Sequence, residues 1–113
     1  MDSVAWRIRD RATFEALRRS AGRARRGPVT VTYADAGSAP APRVAYAVGR
    51  RSGTAVTRNR IRRRLRAAMA QVDGLGPGAY LVAAGPEAAD LPFEELRTQL
   101  SAAMTSARAR GRR

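Results

Sequence analysis

The sequence contains no cysteine and no histidine. Without cysteine the chain can form no disulfide and no thiolate metal site, and nothing points to an oxidising compartment. Without histidine it lacks the commonest general base and metal ligand near neutral pH. The nine aspartates and glutamates are scattered along the chain. We therefore assign no catalytic residue to this protein.

Long apolar runs are also missing, since no stretch approaches the ~18 residues of a membrane-spanning helix. The first residues, Met1–Arg7, lack the apolar core of a signal peptide. We therefore expect a cytoplasmic protein. Its 113 residues fit a single domain, with a basic tail at 108–113.

Lysine is absent, so all 22 basic residues are arginines, and the net charge is +13. A folded domain with this charge repels itself unless a polyanion neutralises it. Nucleic acid is the default partner for such a protein. An anionic membrane is the alternative, but the chain has no long apolar run to support it.

The segment from Arg43 to Gln71 holds nine arginines and no acidic residue. At ~100° per residue, a helix here carries two faces. The apolar face consists of Ile61, Leu65, Ala68, Met69 and Val72. The polar face, which we call the arginine stripe, consists of Asn59, Arg62, Arg63 and Arg66. Arg60 and Arg64 lie on a third flank.

We expect Thr57 to cap this helix and the helix to run to about Val72. The free amides of the first turn would then lie near Arg58 and favour phosphate binding. Arginine forks bind phosphate in a bidentate manner. Asn59 can donate and accept, so it can reach a base edge, a 2′-hydroxyl or a hydrated metal ion.

The remaining pattern predicts an α+β fold, a small mixed sheet with helices in the order α-β-β-α-β-α. The first helix covers about 11–21 behind Asp10, and 22–27 is a loop. Strands at 28–34 and 43–49 are antiparallel, joined by a turn or hairpin loop at 35–42. A central strand covers 80–84, and the last helix starts at Pro92 and ends before a frayed tail.

The string from Gly53 to Arg66 resembles the signature of the bacterial ribonuclease P protein family. That signature reads Gly-x-Ala-Val-x-Arg-Asn-Arg, an aliphatic residue, two basic residues, a variable position, an aliphatic residue and Arg. Every fixed position matches. The family is also similar at Phe14, at the strand and basic pair within 43–51, and at the last strand and helix. The resemblance covers roughly residues 7–107 and implies a single RNA-binding domain with this core. The resemblance implies the fold shared by these proteins and the second domain of a small-subunit ribosomal protein.

The resemblance implies the protein subunit of an RNA-based endoribonuclease that removes 5′ leaders from precursor tRNA. The RNA subunit would hold the catalytic Mg²⁺ and perform the hydrolysis. The protein would bind no metal tightly, although Asn59 could contact one indirectly. Its partners would be the ribonuclease P RNA and precursor tRNA, with one protein monomer per RNA subunit.

The resemblance also implies site residues, position by position. Those expected to bind the RNA subunit are Arg58, Asn59, Arg60, Arg62, Arg63 and Arg66. Arg64 falls on the variable position of the signature, so we expect it to contribute only general positive charge. Those expected to bind the leader, in a cleft between the sheet and the first helix, are Phe14, Arg18, Tyr33, Tyr46, Arg50 and Arg51.

Some of these assignments leave alternatives open. Arg18 stands where many relatives have a second aromatic residue, and Gly49 replaces a common serine. Phe14 and Tyr46 could instead belong to the core, and Val31 competes with Tyr33 for the strand position. As whole-protein alternatives we consider a ribosomal or ribosome-associated RNA-binding protein and a DNA-binding module with the arginine helix in the major groove.

Overall fold

The computed structural model describes residues 6–8, 11–35 and 42–111. The strands are β1 (Trp6–Arg7), β2 (Gly22–Arg26), β3 (Val29–Ala34), β4 (Pro42–Ala47) and β5 (Gly78–Ala84). The helices are α1 (Arg11–Arg19), α2 (Ala55–Met69) and α3 (Phe93–Gly111). Short 3₁₀ segments cover Arg50–Ser52 and Pro86–Ala89. The predicted cap at Asp10 lies outside the described residues.

The five strands form one mixed sheet in the order β1-β4-β5-β3-β2. β4 runs parallel to both β1 and β5, and β3 runs antiparallel to both β5 and β2. The apolar run of β5 therefore occupies the centre of the sheet, as predicted. The chain passes from β4 to β5 through α2, and the α+β class is confirmed.

Two predictions about the strands are wrong. The segment predicted as a loop over 22–27 forms β2 at Gly22–Arg26, because Ala24 is buried and Gly22 lets α3 approach closely. A Cβ atom at Gly22 would lie 2.7 Å from the Cα of Gly111. The hairpin joins β2 to β3 through Gly27, whose φ of +55° suits glycine. β3 and β4 do run in opposite directions, but β5 separates them.

The main core lies between one face of the sheet and the helices α2 and α3. Ile61 and Leu65 of the predicted apolar stripe are fully buried there, with Leu96 and Leu100 of α3. Burying each such side chain contributes roughly 1.5–3 kcal/mol. α1 covers the other face with Leu17, in a smaller cluster that includes Ile8. The sheet therefore holds α1 and α2 on opposite sides.

The helix ends also correct the sequence interpretation. Thr54, not Thr57, caps α2, because the Thr57 N–H donates to Thr54 Oγ1 at 3.2 Å. α3 continues to Gly111, so most of the expected frayed tail is helical. Buried Ala103 and Ala107 hold this last part of α3 against the sheet. Within the described ranges, no helix is long and apolar enough to cross a membrane.

Candidate nucleic-acid interface

The arginine stripe lies on the solvent side of α2, as the spacing predicted. Its four residues, with Val56, line a shallow depression of about 640 Å³. Val56 is 79% exposed, which is unusual for an apolar side chain of this size. No acidic residue lines this depression. It is therefore a cationic surface with one apolar contact point.

Arg62 is held in place before any ligand arrives. One of its terminal nitrogens donates to Asn59 Oδ1 at 3.0 Å, and the other donates to the carbonyl oxygen of Val48 at 3.0 Å. Val48 follows the end of β4, so these bonds fix the guanidinium relative to the sheet. A cation oriented in this way loses less conformational entropy when it binds phosphate.

A cleft of about 520 Å³ lies beside the outer edge of β4. β1 covers that edge only at Arg43 and Val44, so the rest of the strand has no neighbour there among the described residues. The cleft is lined by Ile8, Phe14, Val44, Ala45, Tyr46, Arg62 and Arg66. Two residues of the arginine stripe therefore form part of its wall.

Tyr46 and Arg66 form a pair within this cleft. The Cζ atom of Arg66 lies 5.6 Å from the centroid of the Tyr46 ring, within the range of a cation–π contact. Burial raises the pKa of the Tyr46 phenol, and the positive charge of Arg66 partly offsets that effect. The phenol therefore stays neutral near pH 7 and can donate a hydrogen bond.

A second cavity of about 290 Å³ lies between α1 and the sheet. It is lined by Phe14, Leu17, Arg18, Ser20, Arg23, Thr32 and Leu81. Phe14 lines both cavities and is 36% exposed, so its ring is partly open to solvent. Arg18 pairs with Glu15 at 3.2 Å on the surface of α1. Phe14, Arg18 and Tyr46 are thus brought to the predicted side of the sheet or to its edge.

Tyr33 was predicted to lie in the leader cleft, but the structure places it away from both cavities. It is 2% exposed, and its hydroxyl donates to the carbonyl oxygen of Pro77 at 3.3 Å. Its ring lies 5.1 Å from that of Tyr80, in the core beneath α3. Tyr33 does share one face of β3 with Val31, but that face packs against the helices of the main core. Thr32, on the opposite face of β3, lines the second cavity instead.

Sequence reasoning missed Ile8, Arg23 and Thr32 as wall residues. Alternation along β3 could have identified Thr32, since it lies on the face opposite Val31. Arg23 was not considered as a wall residue because the segment that forms β2 was interpreted as a loop. Arg50 and Arg51 are exposed just after β4 but line neither cavity.

Arg64 has a specific structural contact rather than only general charge. Its two terminal nitrogens donate to the carbonyl oxygens of Ala88, at 2.7 Å, and of Leu91. Both acceptors lie in the segment that leads from β5 into α3. Arg60, by contrast, makes a 3.6 Å ion pair with Asp90 on the surface. Such exposed pairs contribute little to stability.

Comparison of this sequence with known proteins identifies a family. Residues 3–108 match the Ribonuclease P family. The ribonuclease P protein component of Micrococcus luteus is 38% identical, with 89% of this chain and 86% of that protein covered. The corresponding protein of Thermobifida fusca is 39% identical, with 87% of this chain and 73% of that protein covered.

Solved structures agree at the level of the fold. The RNase P protein of Staphylococcus aureus superposes with a TM-score of 0.76 at 20% identity, covering 95% of this chain and 99% of that one. The RNase P protein of Thermotoga maritima gives a TM-score of 0.73 at 19% identity, covering 90% and 96%. The fold, the arginine helix and the sequence match together show that this chain belongs to the ribonuclease P protein family.

Proposed function

We propose that this protein binds the RNA subunit of ribonuclease P through α2 and binds the 5′ leader of precursor tRNA in the cleft. The RNA-subunit contacts would come from the arginine stripe with Arg58 and Arg60. The leader contacts would come from Phe14 and Tyr46 in the cleft and from Arg18 in the second cavity, which Phe14 also lines. The exposed pair Arg50 and Arg51 would add charge where β4 ends.

One observation carries this proposal, namely that the two surfaces share a wall. Arg62 and Arg66 line the depression on α2 and also the cleft that contains Phe14 and Tyr46. An RNA bound along α2 would therefore come next to an RNA strand in the cleft. This arrangement suits a protein that aligns a substrate strand with a second RNA.

The cleft has the chemistry that a single-stranded RNA needs. Its aromatic rings offer stacking surfaces, worth roughly 1–3 kcal/mol per base in such sites. The guanidinium groups of Arg62 and Arg66 offer charge to the backbone, and the neutral phenol of Tyr46 offers one hydrogen bond. None of these groups requires a particular base, so we expect leader binding with weak sequence preference.

We propose that the RNA subunit carries out hydrolysis with its bound Mg²⁺. Mg²⁺ would stabilise the attacking and leaving oxygens of the phosphodiester. Within the described ranges, no three Asp or Glu side chains lie close enough to hold a metal ion together. The protein's own contribution is to neutralise phosphates and to position the leader.

Phe14 gives the most direct test of the leader site. Phe14→Leu keeps an apolar side chain but removes the stacking plane. We expect this variant, assembled with the RNA subunit, to bind leader-bearing precursor about ten-fold more weakly, at roughly 1–3 kcal/mol per lost stack. Its affinity for mature tRNA, which has no leader, should not change.

Two controls make this experiment decisive. Tyr33→Phe removes a hydroxyl in the core and should leave both affinities unchanged. Thermal melts of each variant show whether the fold is retained. Equal losses for precursor and mature tRNA in a well-folded Phe14→Leu protein would contradict the leader assignment.

A further inference from the structure

A second basic surface lies at the opposite edge of the sheet from β1. Arg25 and Arg26 end β2, just before the turn to β3, and both are exposed. Arg110, in the last turn of α3, is exposed nearby and donates to the carbonyl oxygen of Arg23 at 2.5 Å. We call Arg25, Arg26 and Arg110 the hairpin patch.

The guanidinium groups of the hairpin patch are anchored but not neutralised. Arg25 Nε donates to the carbonyl oxygen of Gly27 at 3.0 Å, and Arg26 donates to Ser106 Oγ at 2.8 Å. None of the three takes part in an ion pair within the described residues. The sequence has no acidic residue between Glu15 and Asp35, and none after Glu95. The patch therefore keeps its positive charge.

The hairpin patch is separate from the arginine stripe. Arg62 and Arg66 contact the region of β4, and β5 and β3 lie between β4 and β2. Neighbouring strands are about 4.8 Å apart, so β4 and β2 are separated by roughly 14 Å. A phosphate bound by the stripe does not reach the patch.

We propose that the hairpin patch binds the phosphate backbone of a double-helical RNA segment. β2 has no aromatic residue, and α3 has none after Phe93, so the patch lacks the stacking surfaces of a single-strand site. Helical RNA is recognised mainly by its shape and its phosphates, which suits anchored arginine forks. With α2 on another RNA, the protein would bridge two RNA segments. Only this bridging rests on the proposed function.

The test uses a blunt RNA duplex of about 16 base pairs and an unstructured single strand of equal length. The full chain carrying Arg25→Gln and Arg26→Gln is compared with a control carrying Arg11→Gln and Arg97→Gln, which has the same net charge. We expect about ten-fold weaker duplex binding than the control. The slope of log K against log[salt] should also fall by roughly 0.7–0.9 per lost contact.

A second background separates this surface from α2. In a chain that already carries Arg62→Ala and Arg66→Ala, the hairpin substitutions should still weaken duplex binding. Arg110→Gln alone should give about a three-fold loss, and it serves if the double variant does not fold. Duplex binding equal to that of the control, or a loss confined to the single strand, would overturn the proposal. Failure of the proposed function would appear separately, as unchanged binding of the RNA subunit by the α2 variant.

Discussion

Neighbouring arginines on α2 have different structural surroundings. Arg62 and Arg66 line both the cleft and the depression on α2. Arg64 points to the other side, where it bonds the carbonyl oxygens of Ala88 and Leu91. Charge alone would make the three residues equivalent, so substituting each one separately is informative.

We predict that Arg62→Ala or Arg66→Ala weakens binding of the ribonuclease P RNA by roughly 1–3 kcal/mol, because each removes a charge-assisted contact. Arg66 is exposed, so Arg66→Ala should change thermal stability little, whereas Arg62→Ala also removes the donor to the Val48 carbonyl oxygen and should lower it modestly. Filter-binding titrations and thermal melts measure the two effects. Equal affinity losses for these variants and Arg64→Ala would reduce the stripe to a bulk charge effect.

Arg64→Ala should instead lower stability. Its loss leaves two backbone carbonyls without their donor, which costs roughly 1–3 kcal/mol when such groups are buried and less here, where they are partly solvated. Arg60→Ala, which breaks an exposed ion pair, is the matched control and should have almost no effect on unfolding. A denaturant titration that finds no difference between these two variants would contradict the structural role of Arg64.

At the scale of single elements, the start of α2 determines where its first-turn amides point. We predict that Thr54→Ala destabilises the protein by about 1 kcal/mol, because it removes the oxygen that accepts from the Thr57 N–H. Thr57→Ala keeps that N–H and should cost less. Chemical denaturation of both variants decides between them, and a larger loss at Thr57 would favour the cap expected from the sequence.

The elements that the sequence predicted correctly are those with a strong helical periodicity or a continuous apolar run. Ile61 and Leu65 mark the buried face of α2, and the apolar run of β5 marks the centre of the sheet. β2 was missed because Ala24 is its only buried side chain. The burial of Ala24 depends on α3, which is far away in the sequence and gives no local signal. Choosing between Thr54 and Thr57 as the cap requires backbone geometry that a short threonine-rich segment does not reveal.

The site was predictable to a similar degree. The arginine stripe follows from helical spacing alone, and its four residues do share one surface. The face of the sheet that forms the leader cleft does not follow from spacing, because both faces of β3 are apolar or β-branched. That is why Tyr33 was assigned to the leader site, whereas Thr32, on the opposite face of β3, lines the second cavity between α1 and the sheet.

At the scale of the whole molecule, the net charge of +13 predicts a strong dependence of RNA binding on salt. The logarithm of the binding constant should fall with log[salt] by roughly 0.7–0.9 per phosphate contact. Several contacts along α2 imply a slope of several units, measured by titrations at a series of salt concentrations. A slope equivalent to a single contact would contradict binding along the whole stripe.

The scattered acidic residues lead to a prediction about turnover. Single changes such as Glu15→Gln or Asp90→Asn should leave turnover of the assembled ribonucleoprotein within a few-fold, because in the proposed function the RNA subunit, and no carboxylate of the protein, holds the catalytic metal. Single-turnover cleavage of precursor tRNA measures this. A hundred-fold loss in a variant that folds and binds the RNA would show that the protein takes part in the chemical step.

The central claim is that this protein supports cleavage by an RNA partner and does not cleave alone. The most direct measurement mixes the nucleic-acid-free protein, bacterial ribonuclease P RNA and a leader-bearing precursor tRNA at low Mg²⁺. We expect cleavage at the mature 5′ end only when protein and RNA are both present, with activity reduced by the Arg62→Ala and Arg66→Ala pair. Cleavage by the protein alone, or no gain over the RNA alone, would contradict it.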